Sequence, residues 1–325
     1  MTGSGTAGNA RGALFALAAM GVFSTHDAII KTLGQTYSAF QIVFFAALLS
    51  FPLVTFLLIN DRSDGNLIPK HPWWTALRTL CSVAAGTSAF YAYSVLPLAQ
   101  VYALLFAAPL IVTVLAIPIL GETVRLRRWL AVATGLAGVL IVLRPGGQDL
   151  TAGHAAALLS ALAGATGSVV VRRIGRDERS VVLLVYPLMA NFLVMAAAMP
   201  FVYVPVPLAH LGLWAVIAML GLGGSLLLIR AYRSGEAVVV APMQYSQILW
   251  ATLYGYLLFG EGVDGTTILG TAVIVGSGIY IVLREGRSPA SLQPVSRSAG
   301  RAQSLAPRPS VLRRFLPVRG GAGPV

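Results

Sequence analysis

Ten stretches of mostly apolar residues run along this chain, at roughly 12–31, 38–59, 73–95, 97–120, 127–143, 152–171, 180–202, 210–230, 236–259 and 265–283. A helix rises about 1.5 Å per residue and bilayer hydrocarbon is about 30 Å thick, so about 20 such residues cross as a helix. Breakers or charges stand at the joints: Gly34-Gln35, Asp61 to Pro72, Pro97, Gly121-Glu122, Pro145 to Gly147, Arg172 to Arg179, Pro205 to Pro207, Arg233 to Gly235, and Gly260 to Gly265. The apolar run barely pauses at Leu96-Pro97. The pattern predicts an all-α integral membrane protein with ten transmembrane helices.

A repeat organises these spans. Gly138 to Gly146 (GVLIVLRPG) matches Gly278 to Gly286 (GIYIVLREG) at six of nine positions. Gly121-Glu122 recurs as Gly260-Glu261, and Lys31 to Gly34 (KTLG) has a counterpart in Arg172 to Gly175 (RRIG). The period is near 140, which divides the chain into 12–146 (spans one to five) and 147–286 (spans six to ten). Five is odd, so the two copies insert in opposite senses. Two inverted five-helix repeats that meet near the bilayer midplane are a recurring plan of secondary transporters.

Charge orients the bundle. With the N-terminal tail (residues 1–11) inside, the even-numbered loops and adjoining helix ends carry Arg62, Lys70, Arg78, Arg125, Arg127, Arg128, Arg172, Arg173, Arg176, Arg179, Arg230 and Arg233. The odd-numbered ones carry only Lys31 and Arg144. Twelve against two predicts that both termini are cytoplasmic. Trp73, Trp74, Trp129, Tyr37 and Tyr203 fall near the expected interfaces, where aromatic belts form. Residues 1–10 are a small Gly/Ser/Thr run with no cleavage pattern after the first apolar stretch, which therefore reads as a true helix.

Composition agrees with lipid as the main solvent. Charged residues make up 10% of the chain, against about 25% in soluble domains whose surfaces face water. The net charge of +12 would suit nucleic acid, but its basic residues sit in short loops and in the tail. That distribution points to a membrane and to no nucleic-acid partner. The single cysteine, Cys81, excludes an intrachain disulfide framework and any multi-cysteine metal site. Residues 287–325, rich in Ser, Pro, Ala, Gly and Arg, lack the apolar density to fold. They read as a disordered cytoplasmic tail, either simply solvated or drawn to anionic lipids.

These features resemble the drug/metabolite transporter superfamily, specifically its ten-helix EamA-type members, over about residues 12–286. The resemblance is carried by Pro97 to Pro109 (PLAQVYALLFAAP), Leu120-Gly121-Glu122 before a basic loop, and Gly138 to Arg144. In the second half it is carried by Ala241 to Trp250 (APMQYSQILW) and Phe259-Gly260-Glu261. One departure stands out: Pro109 lies thirteen residues before Glu122, whereas the same place before Glu261 holds Ile248. A symmetric kink in the ninth span is therefore not expected. The resemblance implies a bacterial inner-membrane protein with a central cavity between its halves, exporting or importing a small organic solute.

Asp27 is an acid about fifteen residues into the first span, where insertion costs about 2.5–3.5 kcal/mol. His26 adjoins it, and Lys31 at i+4 could pair with it. The group is either a solute- or proton-binding patch, with Asp27 the coupling candidate, or a structural ion pair. Arg78, one turn inside the third span, either attracts an anionic solute or snorkels to lipid phosphate. Tyr91 and Tyr93 lie deeper in that span, and Gln100 and Tyr102 start the fourth. Gln244, Tyr245, Gln247 and Trp250 follow Pro242 in the ninth, with the two amides at i, i+3 spacing. Buried amides seek partners, so they bond to neighbouring helices or line a wet cavity. Glu122 and Glu261 read as loop anchors that pair with nearby basic groups.

No cofactor, metal site or ATP-binding motif is expected: His26, His71, His154 and His210 stand apart in the sequence, and no glycine run is followed by a phosphate-binding lysine. The leading reading is a secondary transporter of a small organic metabolite working by alternating access, as a monomer or homodimer. A passive channel or sensor on the same scaffold is the alternative, and an intramembrane enzyme fits less well.

Overall fold

A computed structural model of the protein describes residues 3–59, 67–121, 126–144, 150–175, 177–235 and 237–285. The described residues are helical almost throughout: α1 (Gly3–Gly34), α2 (Ala39–Ile59), α3 (Pro72–Val95), α4 (Leu98–Leu105), α5 (Ala108–Leu120), α6 (Leu126–Leu143), α7 (Ala152–Ile174), α8 (Ser180–Val202), α9 (Leu208–Ser234), α10 (Ala237–Val240), a 3₁₀ turn (Ala241–Ser246), α11 (Gln247–Phe259) and α12 (Gly265–Glu285). They form the ten expected spans. Eight are single helices, and the joint at Leu96-Pro97 is real, since α3 stops at Val95 and α4 begins at Leu98.

The fourth and ninth spans are broken, at matching places. The fourth turns at Phe106-Ala107 between α4 and α5, and the ninth passes through the 3₁₀ turn before α11. Both distal pieces, α5 and α11, are 13 residues long and end on a left-handed glycine, Gly121 (φ 72°) and Gly260 (φ 65°). A side chain at either cap would be strained, so glycine is the fitting residue there. The absence of proline at Ile248 does not straighten the ninth span. Pro242, in the first turn of the 3₁₀ segment, supplies the break instead, because it has no N–H to continue the helical ladder.

The halves are interlocked. α1 packs along α9, and its repeat counterpart α7 packs along α3; α6 pairs with α12 and α2 with α8. Glycine lets these crossings close. A methyl on Gly12 would lie 2.7 Å from the Gly235 Cα, and one on the equivalent Gly153 would lie 2.6 Å from the Val95 side chain. Gly138 and Gly270 meet the same way, each with a would-be Cβ under 3 Å from the other's carbonyl oxygen. Lipid tails are as apolar as leucine, so such close contact, rather than exclusion of water, holds the helices together. Hydroxyls are hidden locally: Thr25, Thr87, Thr113 and Ser168 each donate to the carbonyl four residues back.

Of the residues expected in the aromatic belt, Trp73, Trp129 and Tyr203 are exposed. Tyr37 departs from it. It is buried, hydrogen-bonded to His210 Nδ1 at 2.6 Å and edge-on to Trp214, because α2 and α9 cover it.

Candidate functional site

The two helix breaks bring polar groups from both halves onto α1. Asp27 is fully buried at 0% exposure. Its Oδ1 lies 2.6 Å from His26 Nδ1, and its Oδ2 accepts the Tyr102 hydroxyl. The same hydroxyl oxygen accepts Gln247 Nε2 at 2.9 Å. Tyr102 sits in the last turn of α4 and Gln247 is the first residue of α11, so both flank a break. Ser24 closes the group by donating to the Gln247 carbonyl at 3.4 Å. A lone carboxylate in hydrocarbon would be neutralised or expelled, whereas hydrogen bonds from two sides favour its retention.

Aromatic rings wall this cluster. Tyr93 packs 5.8 Å from Tyr102, and Phe90 meets His26 edge-on at 6.2 Å. On the other side Thr25 Oγ1 is 2.9 Å from the Tyr254 hydroxyl, and Trp250 stacks on Tyr254 beside Gly21. The centre breaks the repeat symmetry: the position equivalent to Asp27 is Ser168, whose hydroxyl is spent on Gly164.

The other sequence candidates go elsewhere. Lys31 does not pair with Asp27; it reaches Glu261 Oε1 at 2.7 Å and the Leu96 carbonyl at 2.5 Å. His26 and Tyr102 occupy the two carboxylate oxygens in its place. Gln100 is turned to His154 Nε2, 3.1 Å away, at the capping box that starts α7. Gln244 donates to the Tyr232 hydroxyl at 2.6 Å, so the two amides of the ninth span serve different partners. Tyr245 packs on Phe106 and against Gly278, and Tyr91 is 40% exposed. Arg78 is buried at 4% exposure and does not snorkel out to lipid. Glu122 lies outside the described residues. Phe90, Tyr232 and Tyr254 were not singled out in the sequence, where a lone aromatic in an apolar run carries no signal of its own.

Glu261 does anchor its joint: besides Lys31, its Oε2 accepts the Leu98 N–H at 3.0 Å. Gly255 leaves room for that carboxylate, with a would-be Cβ 3.0 Å from it. At the same end Arg144 pairs with Asp264. An open vestibule of about 560 Å³ lies here, lined by Lys31, Gln35, Ser94 and Glu261 among others.

Ten spans in two inverted halves, with both broken helices delivering polar groups to a buried centre, define a membrane transporter of small solutes. The chain belongs to the EamA-like transporter family, which matches it twice, over residues 10–144 and 151–284. It is 25% identical to an S-adenosylmethionine uptake transporter of Rickettsia bellii, over 82% of this chain and 91% of that protein. It is 29% identical to a pseudopaline exporter of Pseudomonas aeruginosa, over 81% and 93% respectively. A riboflavin transporter of Rhizobium johnstonii is 28% identical over 76% of this chain and 81% of its own length. One crystal structure shares the fold, with a TM-score of 0.55 and 18% identity over 88% of this chain and 100% of that one. The protein is thus a multi-pass bacterial inner-membrane transporter of a small metabolite, not an enzyme.

Proposed function

We propose that this transporter is a secondary one, in which Asp27 carries the coupling proton and solute passes by alternating access between the two halves. One observation carries the reading. The buried carboxylate of Asp27 is held by Tyr102 from the first half, and through it by Gln247 from the second. Motion of one half against the other must therefore remake the Gln247–Tyr102 bond next to the acid, which links the proton affinity of Asp27 to the direction in which the site faces. The aromatic walls suit a small polar or amphipathic organic solute.

Both termini face the cytoplasm in this reading, which puts the Lys31 end of the bundle outside. The basic asymmetry supports it: of the fourteen basic residues in the loops and adjoining helix ends, only Lys31 and Arg144 lie on that side. The functional repeats run 12–146 and 147–286, and the basic segment 287–325 adds a lipid-attracted tail to a monomer or homodimer.

The test is Asp27→Asn, which keeps size and hydrogen bonding but removes the charge. Once solute profiling in membrane vesicles supplies a substrate, the variant loses pH-driven accumulation yet keeps solute counterflow. Unchanged pH-driven accumulation at equal membrane abundance would make the acid structural and place coupling elsewhere.

A further inference from the structure

The vestibule at the Lys31 end is open, yet two of the side chains that line it are charged and largely covered. The Lys31 side chain is 8% exposed and that of Glu261 18%. Their bond of 2.7 Å joins the two halves, Lys31 coming from α1 and Glu261 from the turn after α11. Each is also anchored to backbone. Lys31 donates to the Leu96 and Tyr93 carbonyls at the end of α3, and Glu261 Oε2 accepts the Leu98 N–H that starts α4. A single direct bond therefore links the two charges, beside an open space of about 560 Å³.

The surroundings suit a small charged molecule. Spaces of about 300–1,000 Å³ accommodate small organic ligands, so the vestibule has room for one. The Phe259 ring, also in its lining, has its centre 5.3 Å from the Lys31 ammonium, within reach of a cation–π contact. Ser94, another lining residue, donates its hydroxyl proton to the Tyr91 carbonyl at 2.7 Å, which leaves its oxygen as an acceptor.

Charge decides which molecule fits. A lone anion drawn to Lys31 displaces Glu261 and leaves that carboxylate without its cation. A lone cation drawn to Glu261 does the same to Lys31. Stranding a largely covered charge costs more than the one new contact returns. A solute that carries both charges replaces both partners at once. We infer that the vestibule is a binding site for an amino-carboxylate zwitterion, whose carboxylate takes Lys31 and whose ammonium takes Glu261. One contact of 2.7 Å then becomes two charge-assisted contacts of about 2.7–2.9 Å each. Insertion also parts the end of α1 from the end of α11, so binding widens this end of the bundle. Given that the protein is a transporter, such a head group identifies the class of solute carried. Recognition here is separate from whatever Asp27 does at the centre.

The test is equilibrium dialysis of isotopically labelled probes against the full chain in lipid nanodiscs. The pH is constant and no gradient is applied, so the outcome does not depend on proton coupling through Asp27. Glycine carries both charges, acetate only the negative one and methylammonium only the positive one. Wild type binds glycine about tenfold or more tighter than either single ion. Glu261→Gln weakens glycine about thirtyfold or more and strengthens acetate about tenfold or more, because Lys31 then lacks its carboxylate. Lys31→Gln weakens glycine likewise and strengthens methylammonium. Glycine that binds wild type no better than the single ions overturns the site. So does glycine binding that survives Glu261→Gln, or acetate binding that this substitution leaves unchanged. If Lys31→Gln does not yield a folded protein, the Glu261→Gln pair of results decides alone. Spin labels at Gln35→Cys and Leu258→Cys, both lining the vestibule, read its width in a Cys81→Ala background. Saturating glycine raises the ratio of long to short distances about fivefold or more. An unaltered ratio with glycine bound overturns insertion between the two charges.

Discussion

Tyr102 lends one oxygen to both halves of the molecule, and Tyr102→Phe removes that oxygen alone. The ring still packs against Tyr93 and Phe106, 5.8 and 6.2 Å away, so little packing changes. Two hydrogen bonds go: one to the buried Asp27 carboxyl and one from the Gln247 amide. A bond to a charged group contributes about 1.5–3 kcal/mol and a neutral one about 0.5–1.5, which together make about 2–4.5 kcal/mol. Gln247→Leu deletes only the neutral bond and leaves no orphaned amide, so its cost is about 1 kcal/mol. The double variant should fall short of the sum by about 1 kcal/mol, because the amide orphaned by Tyr102→Phe is no longer present. Thermal and denaturant unfolding of the detergent-solubilised protein measures all three against wild type. A Tyr102→Phe protein within 0.5 kcal/mol of wild type, or strict additivity, would refute a shared oxygen at this site.

Other perturbations address orientation, packing and the tail. Alkaline phosphatase fused after residue 148 should be active and after residue 176 inactive, and the reverse pattern would turn the bundle over. Gly138→Leu drives a side chain into Ile274 and the Gly270 carbonyl, 2.8 and 2.9 Å from the would-be Cβ. It should cost about 1–3 kcal/mol and lower the melting temperature, whereas Gly276→Ala, with open space around it, should not. Deleting residues 291–325 should leave insertion and transport intact, and a truncated protein that inserts normally without transporting would assign that segment a role in the cycle.

The spans and the inverted repeat were legible in the sequence because bilayer thickness and helical rise act on every residue of a span. The breaks were harder to read. Pro109 marks one, but the chain actually turns three residues earlier at Phe106-Ala107, inside an unbroken apolar run. The second carries no proline at Ile248, and Pro242 upstream makes the break. Asp27 and Tyr102 are joined at the centre, yet Gln100, Gln244 and Tyr91 are not, since helix spacing ranks residues on one face without saying what lies opposite. Lys31 shows the same limit. Spacing of i+4 offered Asp27 as its partner, while its true partner, Glu261, stands in the other repeat. The signal that could have found it was already visible: Lys31 and Gly-Glu recur together, in both halves.

The glycine crossings of α1 with α9, and of α7 with α3, bear on the ancestry of the chain. Each crossing marries a helix of one repeat to a helix of the other. A half produced alone would expose its small-residue grooves to lipid and could bury them only on a second half inserted upside down. A single-copy forerunner would thus have had to enter the membrane in both orientations, with no decisive bias of basic loops. Fusion of two copies would release that constraint. Each half could then fix its own orientation by accumulating arginine on one side, consistent with a lopsided charge pattern on a nearly symmetric scaffold.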